Sequence, residues 1–315
     1  MDSEVCNSTN QLEYERFVKN YIPKLIIERI LFESNEMRSL IYDLLFKGAS
    51  ILGIPKRMFN KALENQESNL IVLMYHSVNG AQFRNHLSFL DKHFILIDLD
   101  ELVQIIKARE FPSDPTAVIT FDDGLQSFYY NALPIVDETG IPVTNYVSSG
   151  VIDSEYWYKP GQDRIFIPGK TQYSASRMNL PTNRTDAEKE GFIILPGLTS
   201  EQLKETSRHP KIIIGAHSVT HSLLEETTDD ECKREIFDSK EHLENFIGRK
   251  VKHFAYPNGS FSEREALLVQ EAGFASGATS EDIWIPRDVS PFTIPRKGAG
   301  PAGASLDWLQ YRLGK

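Results

Sequence analysis

Ala117-Val118-Ile119-Thr120-Phe121-Asp122-Asp123-Gly124 is the stretch that decides the fold of this chain. A run of β-forming residues stops abruptly at two carboxylates and a glycine. A buried strand followed by a glycine turn puts side chains at the strand's C-terminal edge, where α/β folds build their sites. Two adjacent carboxylates at such an edge repel each other unless a cation or a proton separates their roles. A solvated Asp-Asp-Gly turn is the plain alternative.

About ninety residues on, Lys211-Ile212-Ile213-Ile214-Gly215-Ala216-His217-Ser218-Val219-Thr220-His221 repeats the pattern of an apolar run ending in a polar cluster. His217 and His221 are four apart, so one helical turn would bring both imidazoles to one face. That is a zinc-site spacing, commonly completed by an Asp or Glu and leaving one position open for water. A chance pair among eight histidines is the competing reading. Both clusters follow apolar strands, and that agreement favours a metal.

Between and around these clusters the chain alternates. Residues 70–75 read as an apolar strand leading to His76, residues 83–93 as helix, 94–97 as a short strand, 99–108 as helix, 134–140 as helix and 143–147 as strand. A helix over 199–208 precedes the histidine strand, and a long helix over 228–247 follows it, opened by a capping box and closed by Gly248. Such alternation argues for parallel βα units.

With these residues quoted, a resemblance is plain. Thr120-Phe121-Asp122-Asp123-Gly124 together with His217-Ser218-Val219-Thr220-His221 resembles the first two motifs of the polysaccharide deacetylases, the NodB-homology family also called carbohydrate esterase family 4. Phe254-Ala255-Tyr256-Pro257-Asn258-Gly259 resembles a third, and the likeness covers roughly residues 70–300. It implies a distorted (β/α) barrel, a divalent metal (zinc first, cobalt or nickel as substitutes) and hydrolysis of an N-acetyl group on a sugar.

Carried over residue by residue, the resemblance makes Asp123, His217 and His221 the metal ligands and Asp122 the base for metal-activated water. The backbone N–H of Asn258, after Pro257, would hold the oxyanion, and Tyr256 in the same motif would help bind the oxyanion or substrate. Ser218 has two readings, a backbone hydrogen bond or a contact to a sugar or acetate oxygen. Two departures stand out. No histidine follows His253, so the family's late acid histidine is missing. His76 then becomes the candidate acid, as in permuted members such as the poly-N-acetylglucosamine deacetylases; a core histidine is its alternative. Ala255 stands where the common motif has a base-orienting arginine, and Arg296 is the candidate substitute, with an ordinary surface salt bridge as the competing reading.

The domain reading is an N-terminal helical region over 1–68 and a catalytic domain over 69–315, interrupted by an insertion at 152–196. In the helical region Leu25, Ile26, Ile30, Leu31, Leu40, Ile41, Leu44 and Leu45 recur at helical spacing, with Gly48 and Gly53 as breaks. Packing on the barrel, a homo-oligomer interface and contact with a membrane surface are the alternatives for its apolar face. The insertion is rich in Gly, Pro, Ser and Asn and reads as a binding loop. Its Tyr156, Trp157 and Tyr158 either stack on a sugar or anchor the loop.

A net charge of −10 over 315 residues, with no basic stripe, excludes a nucleic-acid partner. Cys6 and Cys232 match no zinc or redox spacing and read as thiols, with a single disulfide as the alternative. The acidic start Met1-Asp2-Ser3-Glu4 lacks the form of a signal peptide, so a cytoplasmic or membrane-peripheral enzyme is expected. Its substrate would be an N-acetylated sugar, a nucleotide sugar or a lipid-linked saccharide. The other functions in play are a deformylase or O-acetyl esterase on a sugar, and a sugar-binding protein with a degenerate site.

Overall fold

Four strands set the frame: β1 (Leu70–Tyr75), with the short β2 (Ile95–Leu96) to follow, then β3 (Thr116–Phe121) and β4 (Val143–Val147). Residues of β3 and β4 are buried on both faces, as central parallel strands are. In the computed structural model, which describes residues 46–65, 67–158, 165–168, 181, 183–300 and 303–314, three strands in the insertion form a separate sheet. These are β5 (Glu155–Tyr158), β6 (Ile165–Phe166) and β7 (Ile193–Pro196), paired antiparallel in the order β6-β5-β7. The chain then returns to the large sheet with β8 (Ile212–Ala216), β9 (His253–Ala255), β10 (Ser276–Ala278) and β11 (Lys297–Gly298).

The large sheet has eight strands on the path β10-β9-β8-β4-β3-β1-β11, with β2 beside β3, and every ladder in it is parallel. It curls into the distorted (β/α) barrel. Residues 294–298 bridge its two edges: Ile294 pairs with Ala278, and Lys297 pairs with Leu73. Arg296 lies in this closing segment.

Side chains alternate across the sheet with period two. Ile71, Leu73, Ile119, Phe121, Val143 and Val147 share one core with Phe83, Leu87, Val136, Leu203 and Leu243 from the surrounding helices. Leu70, Val72, Val118 and Tyr146 face the other way, toward Ala278, Ile285 and Ile294.

The helices are α1 (Ile54–Asn65), α2 (Gly80–His93), α3 (Leu99–Ala108), α4 (Leu133–Thr139), α5 (Arg184–Lys189), α6 (Ser200–Arg208), α7 (Asp229–Ile247), α8 (Glu263–Glu271) and α9 (Leu306–Gly314). Thr199 and Thr228 cap α6 and α7 with full capping boxes, so those two helices begin one residue later than the sequence reading.

Two expectations change. The insertion is not a purely irregular loop, since β5, β7 and α5 give it its own small core around Trp157, Ala187 and Phe192. Gly48 does not break the chain but lies within a helix over 46–51; Gly53, at φ +68°, does the breaking. Phe46 packs edge-on against Trp308 and Tyr311 of α9, and Phe59 of α1 against Phe89 and Phe94, so this part of the helical region rests on the barrel. The apolar positions from Leu25 to Leu45, and the interface roles read from them, lie outside the described residues. Among the described residues no helix is long and apolar enough to cross a membrane.

Candidate metal centre and active site

The ladder of β1 and β3 continues one residue past the strand, where the Asp122 amide donates to the Tyr75 carbonyl at 2.9 Å. Asp123 and Gly124 then both take left-handed backbone, at φ +73° and +68°, and the chain turns off the sheet. Glycine is required at the second position: a Cβ on Gly124 would stand 2.7 Å from Val147 Cγ1. The turn aims the two carboxylates of the doublet at different partners.

Asp122 meets Arg296. Nη1 donates to Oδ1 at 2.6 Å and Nη2 to Oδ2 at 2.8 Å, a bidentate pair with the two residues 3% and 1% exposed. The surface salt bridge that competed for Arg296 is thus replaced by a buried one. Arg296 is itself fixed by donating Nε to the Thr279 carbonyl and Nη1 to Thr120 Oγ1, with its guanidinium 5.3 Å from the Tyr146 ring centre. Burial pushes the Asp122 carboxyl up, but the Arg296 charge and the nearby His217 outweigh it and bring it down to about 2.

Asp123 meets the histidines. One ligand atom each of Asp123, His217 and His221 lies within 4.8 Å of the others. Asp123 Oδ1 is 3.6 Å from His217 Nε2 and 3.5 Å from His221 Nε2. His217 Nδ1 lies 2.8 Å from the Ala255 carbonyl; because a carbonyl only accepts, Nδ1 carries the hydrogen and Nε2 presents a lone pair. Burial holds both imidazoles down at about 4, so both are neutral near pH 7. Asp123 Oδ1 is buried without a hydrogen-bond donor among the described residues. A carboxylate oxygen facing an imidazole lone pair is repulsive unless a cation stands between them, and the donor set of one carboxylate and two imidazoles fits a divalent ion such as zinc.

The helical spacing expected for His217 and His221 is not what joins them. No helix spans 217–221. Ser218 at φ +61° and His221 at φ +56° fold the segment into a tight turn that turns both rings inward, their centres 4.8 Å apart. Ser218 Oγ accepts from the His221 amide at 2.9 Å, the backbone reading of that residue.

Two further residues support the centre: Tyr156, which the sequence offered as a stacking or an anchoring ring but did not place at the aspartate turn, and Glu235, which it did not single out. Tyr156 of β5 is fully buried, donates its hydroxyl to the Asp123 carbonyl at 3.0 Å and stands edge-on to His221. With Trp157 also buried and bonded to Glu155, these two rings anchor the insertion and are not free to stack on a sugar. Leu198 donates to the Gly124 carbonyl on the other side of the same turn. The second contributor, Glu235 of α7, is buried with its carboxylate on the histidine turn. Its signal was a carboxylate on a helical stripe otherwise made of Cys232, Ile236, Ser239 and Leu243.

Tyr256 requires a correction. Its ring is wholly buried, stacked on Phe261, and its hydroxyl donates to the Phe292 carbonyl, so the side chain is not presented to a substrate. Asn258 is exposed at φ +55°, with Ser280 Oγ donating to its carbonyl. His76 is exposed one residue beyond β1, not in the core, and lies within electrostatic reach of Asp122, His217 and His221. His253 is buried between Ser276 Oγ and Asp100 Oδ1, away from the centre, and His242 meets Ser149 Oγ.

Comparison with known proteins agrees with this geometry. YxkH of Bacillus subtilis (strain 168), a protein named for this family, is 24% identical over 243 residues, covering 74% of this chain and 72% of its own. The poly-beta-1,6-N-acetyl-D-glucosamine N-deacetylase of Staphylococcus aureus (strain MSSA476) is 22% identical over 222 residues, 70% of this chain and 67% of that one. Among solved structures, the Streptococcus pyogenes deacetylase PplD, in complex with acetate, superposes with a TM-score of 0.58 at 20% identity, covering 77% of this chain and 97% of its own. IcaB from Ammonifex degensii gives 0.53 at 19%, covering 78% and 97%. The sequence pattern of the polysaccharide deacetylases matches residues 110–277, more than half of the chain, from before the aspartate doublet to past the histidine pair. A strand-end doublet, a two-histidine turn and the barrel that joins them therefore come from one ancestry: the chain belongs to the polysaccharide deacetylase family.

Proposed function

We propose that this protein is a metal-dependent hydrolase that removes the N-acetyl group from an acetamido sugar. The observation that carries the proposal is the division of the doublet: Asp123 Oδ1 faces two imidazoles with no donor of its own, while both oxygens of Asp122 are held by Arg296. A divalent ion held by Asp123, His217 and His221, zinc first and cobalt or nickel as substitutes, would supply positive charge at the amide carbonyl and lower the pKa of water there.

The protein's own groups then divide the work. Asp122, kept ionised by Arg296, accepts a proton from the attacking water as its oxygen adds to the carbonyl carbon. The same arginine weakens Asp122 as a base, so the water it serves must be an acidified one. The backbone N–H of Asn258 steadies the oxygen that becomes negative. His76, exposed and able to exchange protons with solvent, delivers one to the nitrogen as the C–N bond breaks, giving a free amine and acetate. Ser218 shapes the turn.

The reading of the protein as a degenerate sugar binder drew on a missing arginine and a missing late histidine, and Arg296 on Asp122 weighs against the first of these. The S. aureus relative makes poly-N-acetylglucosamine the first polymer to try, with nucleotide sugars and lipid-linked saccharides as the candidates for the cytoplasmic or membrane-peripheral setting expected from the sequence. The test is mass spectrometry and acetate assay of the zinc-loaded protein on those substrates and on chitooligomers. Loss of one acetyl mass with release of acetate is expected. Formate release, or cleavage of O-acetyl esters alone, would replace the proposal by the deformylase or esterase reading, and no acyl release from any of them would reject it.

A further inference from the structure

Helix α7 turns its buried stripe inward through Cys232, Ile236, Ser239 and Leu243, and Glu235 lies in that stripe at 3% exposure. A carboxylate so placed is costly unless hydrogen bonds replace water. Among the described residues its three donors come from two residues. Oε2 accepts from the amides of Val219 and Thr220 at 2.9 and 2.8 Å, and Oε1 from Thr220 Oγ1 at 2.7 Å. Val219 and Thr220 are the middle of the turn between His217 and His221.

The rest of that turn is bound from the opposite side. Ser148 Oγ donates to the His217 carbonyl, and the amides of Ser149 and Gly150 donate to the carbonyls of Ser218 and Val219. The end of β4 thus grips the carbonyls of the turn, and Glu235 grips its amides. Ser218 and His221 flank the gripped amides in left-handed backbone, which costs about 1–3 kcal/mol each for non-glycine residues and persists only where the surroundings over-determine it.

We infer that Glu235 is a positioning residue for the metal centre: by holding the amides of Val219 and Thr220 it sets the aim of His217 Nε2 and His221 Nε2 at Asp123. It acts through the turn and touches neither reacting atoms nor metal. The inference rests on the reading that Asp123, His217 and His221 hold a divalent ion. It assigns the effect to hydrogen-bond acceptance and not to charge. A glutamine oxygen can still take both amides, while Thr220 Oγ1 turns to accept from the glutamine NH₂ and donates instead to Ser222 Oγ, 2.8 Å away.

The test compares wild type, Glu235→Gln, Glu235→Asp and Glu235→Ala by zinc competition against a chromophoric chelator, by the visible spectrum of the cobalt form and by the melting temperature of the metal-free protein. Glu235→Asp and Glu235→Ala should bind zinc about 10–100-fold more weakly, with a shifted cobalt spectrum. Glu235→Gln should stay within about threefold and keep the wild-type spectrum and melting temperature. The aspartate variant serves if the alanine variant does not fold. Equal zinc affinity in wild type and Glu235→Asp overturns the role of Glu235, and a glutamine variant as weak as the others overturns its assignment to hydrogen-bond acceptance. Wild-type protein that binds no zinc instead overturns the metal reading on which the inference stands.

Discussion

Arg296 and Asp122 are 174 residues apart in sequence, and the guanidinium of one covers both oxygens of the other at 2.6 and 2.8 Å inside the barrel. The pair gives the aspartate doublet its asymmetry, because among the described residues Asp122 has a guanidinium of its own and Asp123 faces two imidazoles. Replacing Arg296 by Lys substitutes a point charge for a planar fork. For Arg296→Lys, kcat on the best substrate should fall about 10²-fold with zinc affinity unchanged. Arg296→Met, which strands a buried charge, should cost about 3–5 kcal/mol in denaturant unfolding. Wild-type kcat in the lysine variant would remove Arg296 from the mechanism.

Asp122→Asn separates the roles of the doublet from the other side. It should retain zinc, because Asp123, His217 and His221 are untouched, and lose about 10²–10⁴-fold in kcat. Zinc content by elemental analysis and steady-state kinetics on one preparation check both halves.

Acid should weaken the metal-free protein in two steps. The unfolded imidazoles take up protons near 6.5, whereas burial delays His217 and His221 to about 4 in the folded protein. Between those values the unfolded state binds more protons, so stability falls as the pH drops. Asp122 adds a lower step between about 3.9, its unfolded value, and about 2 in the fold, where its stabilising charge is lost. Urea unfolding of the apoprotein from pH 7.5 to 3 should show the first decline. A flat stability curve across pH 6.5–4 would contradict the burial argument.

Tyr156→Phe removes one oxygen and leaves the Asp123 carbonyl without its donor. The expected loss is about 1–3 kcal/mol of stability, with weaker zinc binding as the Asp123 turn loosens. Trp157→Phe, farther from the turn, should leave zinc affinity unchanged. Isothermal titration on both variants distinguishes a coupled insertion from an independent one.

His76→Asn should lower kcat by about 10²–10⁴-fold while leaving melting temperature and zinc affinity alone, since His76 is exposed. An unaltered kcat would assign the proton to another group.

The strands and most helices were legible because their signals are local. Apolar runs, capping residues and glycine stops lie within a few residues of what they specify, as at Thr228 and Gly248. The aspartate doublet and histidine pair were legible as a constellation because each ends an apolar strand. The means of joining them was not. Spacing alone suggested a helical turn for His217 and His221, whereas two left-handed residues make a turn whose cost is met by partners on β4 and α7. Arg296 could be named, but its burial could not, because burial depends on how residues 294–298 cross between two strands. Tyr256 misled for a related reason: a motif gives the order of residues along the chain, whereas the pleat decides which way each side chain points.

The closing segment also orders assembly in time. A chain made from its N-terminus presents β1, β3, β4 and β8 well before residues 294–298 exist, and domains tend to fold as they emerge. Until then Asp122 has no guanidinium beside it, and Leu73 and Met74 lack the neighbours they gain in Lys297 and Gly298. Pairing across more than two hundred residues is a slow kind of contact to form. The last step of barrel closure is therefore also the step that seats Arg296 on Asp122, so a nascent or partly opened chain can carry its histidine turn before the carboxylate proposed as the base is held in place.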